Sequence, residues 1–179
     1  MKNILIISTS LRSNSNSDFM ANQFARGAQD AGCNVEKISL QDKVIGFCRG
    51  CLACQTTRKC VIADDANQLA EKVKASDILV FATPVYYYGM SGQMKTLLDR
   101  LNPLFGTDYK FRDIYLLATA ADEDAAAMDG TIAGLDGWIS CFPEANLKKV
   151  ICGTGVTGAG EIKDKDVLQQ AYEIGRSIL

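Results

Sequence analysis

Four cysteines lie close together in the segment FCRGCLACQTTRKC, residues 47–60. Their spacing is C-x2-C-x2-C-x5-C, formed by Cys48, Cys51, Cys54 and Cys60. Thiolates at such short spacing can converge on a 4Fe-4S cluster, which takes four sulfur ligands, or on a structural zinc ion. They can also simply pack this segment, with one reactive thiolate beside Arg49 or Arg58. The spacing alone leaves these alternatives open.

The composition excludes several kinds of chemistry. The chain has no histidine, which rules out an imidazole base and the Ser-His-Asp and Cys-His sites. Chemistry must therefore come from a cofactor, a carboxylate, a thiolate or a tyrosine. The 19 basic and 21 acidic residues form no run of one sign, so neither nucleic acid nor a membrane is an expected partner. We expect small-molecule partners instead.

Cysteine usage and the N-terminus predict the compartment. The chain holds seven cysteines, an odd number, which argues against a disulfide framework. The apolar run in the first segment, MKNILIISTS, is too short for a signal peptide or a membrane span. Both features predict a cytoplasmic protein. Outside the cluster, we expect Cys33, Cys141 and Cys152 to be small buried hydrophobic residues.

A polar segment, STSLRSNSNS at residues 8–17, follows an apolar run and precedes a predicted helix. Its hydroxyl, amide and guanidinium groups belong to Ser10, Arg12, Ser13, Asn14, Ser15, Asn16 and Ser17. The free N–H groups and positive dipole end of the helix would add to these donors. The segment predicts a site for a phosphate monoester, although an ordinary polar turn can have the same composition. The P-loop pattern is absent, which argues against ATP-type chemistry.

An aromatic segment, TPVYYYGMSGQMKTLLDR at residues 83–100, follows another apolar run. Aromatic residues usually pack in the core, but three consecutive tyrosines in a loop cannot all point inward. Aromatic side chains and loop backbone beside a phosphate site suit a flat ring ligand. The candidate ring-binding residues are Pro84, Val85, Tyr86, Tyr87, Tyr88 and Gly89.

A glycine-rich motif, GTGVTG at residues 153–158, matches the dinucleotide-binding pattern G-x-G-x-x-G. That pattern works with an acidic residue on a following strand, which binds the ribose. No further strand is predicted after this motif. We therefore expect it to be only a flexible glycine turn.

The predicted elements place these segments at one edge of a sheet. Apolar and alternating runs predict strands at 3–8, 33–39, 76–83, 112–120 and 147–153. Helical spacing predicts helices at 17–31, 64–76 with Asp64 as N-cap, 92–101, 124–140 and 164–179. Strands alternating with helices predict an α/β fold with a flavodoxin-like, doubly wound, five-stranded parallel sheet of order 2-1-3-4-5. We expect one domain over residues 1–179, with the cysteines in an overlong loop at 40–63.

Together these segments resemble the flavodoxin-like NAD(P)H-dependent FMN reductases over nearly the whole chain. The resemblance lies in STSLRSNSNS, TPVYYYGMSGQMKTLLDR, the pair Asp64–Asp65 and GTGVTGAGEIKD. The family's first loop reads G-S-P-R-x-N-G-N-T. This chain matches it at Ser10, Arg12, Asn14, Asn16 and Ser17, and replaces its glycines and proline with Thr9, Leu11 and Ser15.

The resemblance implies an enzyme whose chemistry is centred on FMN rather than on a catalytic side chain. NAD(P)H would supply hydride, and a small molecule or a redox protein would accept the electrons. Pro84–Tyr88 would lie along the isoalloxazine ring, with Thr119, Ala120 and Ala121 at its other edge. The segment TAADED at residues 119–124 lacks the glycines often found there. The resemblance also implies a homodimer or homotetramer.

The cysteine spacing resembles the compact motif of the iron-sulfur flavoprotein branch of this family. That branch implies a relay of single electrons between a 4Fe-4S cluster and FMN. The usual ferredoxin motif has a shorter last gap and a proline after the last cysteine, where this chain has Val61. A lower-ranked alternative is a non-enzymatic module, stabilised by zinc or built like a phospho-receiver. A receiver needs acidic residues after the first and third strands, where this chain has Ser8–Thr9 and Thr83–Pro84.

Overall fold

The computed structural model describes residues 1–178 as a parallel sheet with helices on both faces. The strands are β1 (Asn3–Ser8), β2 (Asn34–Ser39), β3 (Ile78–Tyr86), β4 (Gly89–Met90), β5 (Asp113–Thr119) and β6 (Asn146–Gly153). The helices are α1 (Asn16–Asp30), α2 (Ala53–Thr57), α3 (Asp65–Ala75), α4 (Gly92–Arg100), α5 (Asp129–Ile139) and α6 (Val167–Arg176). Short 3-10 turns occur at Asn102–Leu104, Ala125–Met128 and Glu161–Asp164.

The sheet has the predicted topology. Its order is β2-β1-β3-β5-β6, with all four neighbouring pairs parallel. This order confirms the flavodoxin-like 2-1-3-4-5 arrangement for the five main strands. The short strand β4 was not predicted; it pairs antiparallel with the end of β3. Because parallel strands share one direction, the carboxyl ends of β1, β3 and β5 lie side by side.

The central strands are apolar along their whole length because both of their faces are covered. Alternate side chains of β1 enter two different cores. Leu5 and Ile7 pack into the core under α3, α4 and α5, whereas Ile4 and Ile6 pack into the core under α1 and α6. All four side chains are at most 2% exposed. This double coverage fixes the position of the strand end from which the polar segment leaves.

Three segments of the chain differ from the predictions. The long connection at 40–63 contains the short helix α2, which is flanked by Leu52 and Arg58 in left-handed backbone conformations. The predicted helix at 124–140 is divided into a 3-10 turn, capped by the Asp124 carboxylate, and α5. The last helix begins only at Val167, and Leu179 lies outside the described residues. No helix within residues 1–178 is long and apolar enough to cross a bilayer.

Candidate functional site

A cleft opens at the carboxyl edge of the sheet, where three predicted segments meet. Its cavity has a volume of about 170 Å³. Its lining consists of Ser10, Arg12, Ser15, Asn16, Ser17, Pro84, Val85, Tyr86, Thr119, Ala121, Val156 and Thr157. The polar segment, the aromatic segment and the end of β5 therefore form one site. This volume is below the roughly 300–1,000 Å³ usual for drug-sized ligands, so a large ligand would extend onto the open surface.

The start of α1 lines this cleft with free hydrogen-bond donors. Ser15 is the N-cap, and its hydroxyl accepts a hydrogen bond from the Asp18 N–H at 3.2 Å. The backbone N–H groups of Asn16 and Ser17 donate to no acceptor within residues 1–178. These groups carry the positive end of the helix dipole, and anions bind at such positions. The hydroxyl of Ser10 lies in the same lining.

A buried cluster of three hydroxyl groups supports the cleft from below. Thr9 Oγ1 and Ser91 Oγ lie 3.0 Å apart, and Thr83 Oγ1 lies 3.1 Å from Ser91 Oγ. Thr9 follows β1, Thr83 is in β3 and Ser91 caps α4. All three side chains are fully buried. The cluster therefore holds together the elements from which the polar and aromatic segments emerge. These three hydroxyl groups were not predicted as part of the site.

The aromatic segment forms a tight hairpin instead of an open loop. Tyr86 pairs with Gly89 across the turn, and the turn residues Tyr87 and Tyr88 have φ of 49° and 60°. Positive φ at both central residues is typical of the type I′ turn, whose twist matches that of the flanking antiparallel strands. The Tyr88 hydroxyl lies 3.2 Å from a carboxylate oxygen of Asp122. This contact joins the hairpin tip to the connection after β5.

Not every predicted ring-binding residue lines the cleft. Pro84, Val85 and Tyr86 do, together with Thr119 and Ala121. The predicted residues that lie outside the lining are Ser13 and Asn14 of the polar segment, and Tyr87, Tyr88, Gly89 and Ala120 of the ring-binding set. The Tyr87 side chain is fully exposed at the hairpin tip. Ala120 is buried, and its backbone bonds to Gly153 and Val156.

The glycine-rich motif after β6 also closes the cleft, so the prediction of a merely flexible turn is wrong. Val156 and Thr157 line the cavity. The Arg12 guanidinium donates to the Thr157 carbonyl at 2.7 Å. The Asn16 amide donates to the Gly158 carbonyl at 2.9 Å and accepts from the Ile162 N–H. Asn16 therefore uses its side chain to hold this turn, and its backbone N–H remains free for a ligand.

The four clustered cysteines line a second cavity of about 350 Å³. The other residues that line this cavity are mostly apolar and include Phe105, Trp138 and Phe142. A fifth thiol, Cys141, lines the same cavity and is exposed, so the prediction that it is buried is wrong. Cys33 and Cys152 are half-buried. Within residues 1–178, no three cysteine or carboxylate side chains are grouped closely enough to hold a metal ion without rearrangement.

Two of the clustered sulfurs accept hydrogen bonds from N–H donors. The backbone N–H of Gly50 lies 3.4 Å from Cys48 Sγ. The side-chain amide of Asn102 lies 3.0 Å from Cys54 Sγ. N–H donors directed at sulfur are typical of the surroundings of sulfur-ligated metal centres, because they stabilise negative charge on the ligand. The cysteine cavity therefore suits sulfur ligands that carry charge.

A buried ion pair anchors both ends of the cysteine loop. Arg100 contacts both oxygens of Asp64, at 2.7 and 2.8 Å, and both side chains are nearly inaccessible to solvent. Asp64 also accepts a hydrogen bond from the Gly46 N–H. Burial by itself raises the pKa of Asp64, but the hydrogen bonds from Arg100, Gly46 and Ala66 outweigh it and lower the pKa. The bond to Asp64 raises the pKa of Arg100.

The two cavities share no lining residue. Helix α4 runs between the two cavities. Its N-cap, Ser91, belongs to the hydroxyl cluster beside the cleft. Leu98 in its last turn and Asn102 just beyond its end line the cysteine cavity. A helix of this length spans about 14 Å. Within one chain, the cleft and the cysteine cavity are therefore separate sites.

Comparisons with known proteins give matches to flavin and iron-sulfur proteins. The chain is 36% identical to an iron-sulfur flavoprotein of Methanocaldococcus jannaschii over 101 residues, which is 56% of this chain and 52% of the relative. It is 36% identical to an iron-sulfur flavoprotein of Archaeoglobus fulgidus over 88 residues, covering 49% of this chain and 40% of the relative. Each match thus spans about half of the relative's length or less.

The fold has matches among solved structures. An azoreductase from Bacillus anthracis superposes with a TM-score of 0.75, covering 99% of this chain and 100% of the other, at 15% identity. At this identity the likeness shows the fold alone. A family model described as NADPH-dependent FMN reductase matches residues 2–127. This match includes the polar segment, the cysteine loop and the aromatic hairpin, and it shows that the chain belongs to the NADPH-dependent FMN reductase family.

Proposed function

We propose that this protein is an FMN-dependent oxidoreductase that takes hydride from NAD(P)H and passes electrons to a small molecule or a redox protein. The observation that carries this proposal is the pair of free backbone N–H groups, of Asn16 and Ser17, at the start of α1 in the cleft. They stand where a phosphate monoester can accept both hydrogen bonds. Membership in the FMN reductase family supports the same ligand.

The polar segment would bind the phosphate of FMN through its backbone and its hydroxyl groups. Ser10, Ser15 and Ser17 are buried side chains in the cleft lining. Hydrogen bonds to a charged acceptor are about twice as strong as neutral ones. Arg12 adds a positive charge while its guanidinium also holds the Thr157 carbonyl. The structure thus offers donors of the right kind at one end of the cleft.

The isoalloxazine ring would lie against the start of the hairpin. Pro84, Val85 and Tyr86 present apolar side chains and strand backbone there, with Thr119 and Ala121 across the cleft. Bound FMN supplies the redox chemistry, since it accepts hydride and can release electrons one or two at a time. The residues of the chain bind and orient the ring, and no histidine is required. The electron acceptor would approach from the open side, near the exposed Tyr87.

Flavin reduction tests this proposal directly. The purified protein should bind added FMN, and NADH or NADPH added without oxygen should bleach the visible absorption of the bound flavin. The measurement is an anaerobic absorption time course, with free FMN at equal concentration as the control. Reduction no faster than that of free FMN with either nucleotide, or a failure to bind FMN, would contradict the proposal.

We propose, as a second candidate function, that the cysteine loop holds a 4Fe-4S cluster that exchanges single electrons with FMN. The supporting observation is that Cys48, Cys51, Cys54 and Cys60 all line one cavity. The N–H donors directed at Cys48 and Cys54 favour charged sulfur over inert packing. The relatives named iron-sulfur flavoproteins support the same ligand. Because no three of these thiols are grouped for a metal among the described residues, binding would require the cysteine loop to rearrange.

Iron reconstitution tests the second candidate. Treating the protein anaerobically with iron(II) and sulfide should yield about four irons per chain. Cys54→Ala should lose most of this iron, because it removes a ligand, whereas Cys33→Ala, outside the cavity, should retain it. The measurement is iron and sulfide content together with the visible spectrum. Iron-free protein that still reduces FMN with NAD(P)H would leave the loop with a structural role.

The proposal also covers the compartment in which the protein works and its oligomeric state. All seven cysteines are free in the structure, which supports a reducing compartment such as the cytoplasm. Large exposed hydrophobic side chains, including Phe47 and Tyr87, stand on the surface near the cleft and the cysteine loop. A homodimer or homotetramer is the assembly that the family resemblance implies, and it remains a prediction.

A further inference from the structure

The hydroxyl group of Thr157 is a hydrogen-bond donor that the described part of the chain leaves unused. Thr157 is exposed and lines the cleft together with Ser10, Arg12 and the start of α1. Its backbone N–H and carbonyl each make a hydrogen bond, whereas its side chain makes none within residues 1–178. Thr154 belongs to the same glycine-rich motif but lies outside the cleft lining. The two threonines of this motif therefore differ in their access to a ligand in the cleft.

Two charged side chains hold the backbone of Thr157 from opposite sides. The Glu161 carboxylate accepts a hydrogen bond from the Thr157 N–H at 2.7 Å, and the Arg12 guanidinium donates to the Thr157 carbonyl at 2.7 Å. Hydrogen bonds from the N–H groups of Thr157 and Gly158 lower the pKa of Glu161, so this carboxylate is charged at neutral pH. Hydrogen bonds to charged groups are the stronger ones. The backbone that carries the Thr157 side chain is thus fixed in place before a ligand binds.

The same turn lies against the part of the cleft that suits a phosphate. The Asn16 side chain donates to the Gly158 carbonyl at 2.9 Å and accepts from the Ile162 N–H at 3.3 Å, while the backbone N–H of Asn16 stays free at the start of α1. A bare carbonyl oxygen at Thr157 would repel a phosphate, but the Arg12 guanidinium is bonded to it. The surroundings of Thr157 therefore favour an anionic ligand.

We propose that Thr157 is a specificity-determining residue for FMN, whose phosphate accepts a hydrogen bond from the Thr157 hydroxyl, and that Glu161 is the positioning residue that holds Thr157 there. The inference rests on the proposed function. It adds a donor that follows β6 to the donors of the polar segment, which follow β1. Because Glu161 already occupies the Thr157 N–H, this group is not free for a dinucleotide. The glycine-rich motif thus serves the phosphate of a flavin and not the dinucleotide that its spacing resembles.

Three single substitutions test the role of the hydroxyl. Thr157→Val removes the hydroxyl but keeps the branched shape, and it should weaken FMN binding about tenfold while riboflavin, which has no phosphate, binds as before. Thr157→Ser keeps a hydroxyl and should restore the FMN affinity. The matched control is Thr154→Val, which makes the same change three residues earlier and outside the cleft lining, and it should leave both affinities unchanged. The measurement is titration of the flavin-free protein with FMN and with riboflavin, followed by flavin fluorescence.

The riboflavin affinity also reports whether each variant folds. Unchanged FMN affinity in Thr157→Val, an equal loss of both flavins, or the same FMN-selective loss in Thr154→Val would overturn this inference alone. Failure of the unaltered protein to bind FMN would overturn it together with the proposed function.

A double-substitution cycle tests the positioning role of Glu161. Because Glu161 acts through Thr157, adding Thr157→Val to a chain that already carries Glu161→Ala should cost much less FMN affinity than adding it to the unaltered chain. Riboflavin binding should not depend on this combination. An equal cost in the two chains would show that Glu161 does not position the hydroxyl.

Discussion

Replacing Ser10 and Ser17 together with alanine should weaken FMN binding by about a hundredfold or more, while riboflavin binding changes by no more than about threefold. Each hydroxyl would donate to the doubly charged phosphate, and each such bond contributes about 1.5–3 kcal/mol. Riboflavin lacks the phosphate and does not use these donors. Both side chains are at most 5% exposed and line the cleft. Titration of the flavin-free protein with each ligand, followed by flavin fluorescence, measures the two affinities.

The control for this experiment is Ser140→Ala with Ser177→Ala. Both hydroxyls are exposed near the ends of helices, where they donate to the backbone carbonyls of Gly137 and Ile174. This double variant removes the same atoms and should bind both flavins like the unaltered protein. An equal loss of FMN and riboflavin affinity in the Ser10 and Ser17 variant would show that these residues do not bind the phosphate.

Asn16 is a poor choice for the same test, although its position in the polar segment suggests it. Its side chain bonds to Gly158 and Ile162 and so holds the turn that carries Thr157. Removing the amide would release that turn and disturb the cleft for any flavin. The sequence shows that an amide is present here, but only the structure shows that another part of the chain already uses it.

The strands could be predicted because their burial has a direct sequence signature. β1 occupies the predicted residues 3–8, since a strand covered on both faces must be continuously apolar. The order of the five main strands could be predicted because five βα units match the flavodoxin-like doubly wound arrangement. The short helix α2 could not be predicted, because its flanking residues Leu52 and Arg58 adopt left-handed conformations that such side chains rarely take.

The cleft could be predicted in part, for a topological reason. Segments that follow the first and third predicted strands must meet at one edge of a parallel sheet, so Ser10 and Pro84 were correctly placed together. Thr119 was placed with them by the family resemblance, and it lines the same cleft. Val156 and Thr157 were missed, because the motif that contains them also fits an ordinary turn. Its role depends on hydrogen bonds from Arg12 and Asn16, which are distant in the sequence. The position of Val156 and Thr157 after β6, at the same sheet edge, was the signal that could have identified them.

The contacts of Arg100 and Asn102 show the same limitation. Arg100 ends the amphipathic helix α4 and Asn102 lies just beyond it, where charged and polar residues usually face solvent. In the structure Arg100 is instead buried against Asp64. The proximity of Cys54 to Asn102 depends on how the long loop folds back over α4. Sequence spacing within the loop carries no information about that contact.

Helix α5 and the aromatic hairpin lie so close together at Gly130 that a side chain does not fit there. A Cβ atom at this position would lie 2.1 Å from the Tyr88 carbonyl oxygen, so Gly130→Ala must displace the hairpin or the helix. Forced repacking of this kind costs about 1–3 kcal/mol. We expect the melting temperature to fall by several degrees, at roughly 2–4 °C per kcal/mol for a chain of this size. FMN and riboflavin affinities should fall together, because the hairpin would form the wall beside the ring and not the phosphate site.

The matched control for Gly130→Ala lies in the same helix. A Cβ atom at Gly137 would meet no atom within 4 Å, and alanine is the better helix former. Gly137→Ala should therefore raise the free energy of unfolding by about 0.4–1 kcal/mol and leave both flavin affinities unchanged. The same glycine-to-alanine change should therefore lower stability at position 130 and raise it at position 137. This difference separates the effect of the hairpin contact from a general effect of alanine on α5. If Gly130→Ala were as stable as Gly137→Ala and bound both flavins normally, the hairpin would not depend on this contact, and its backbone would not be a fixed wall for the ring.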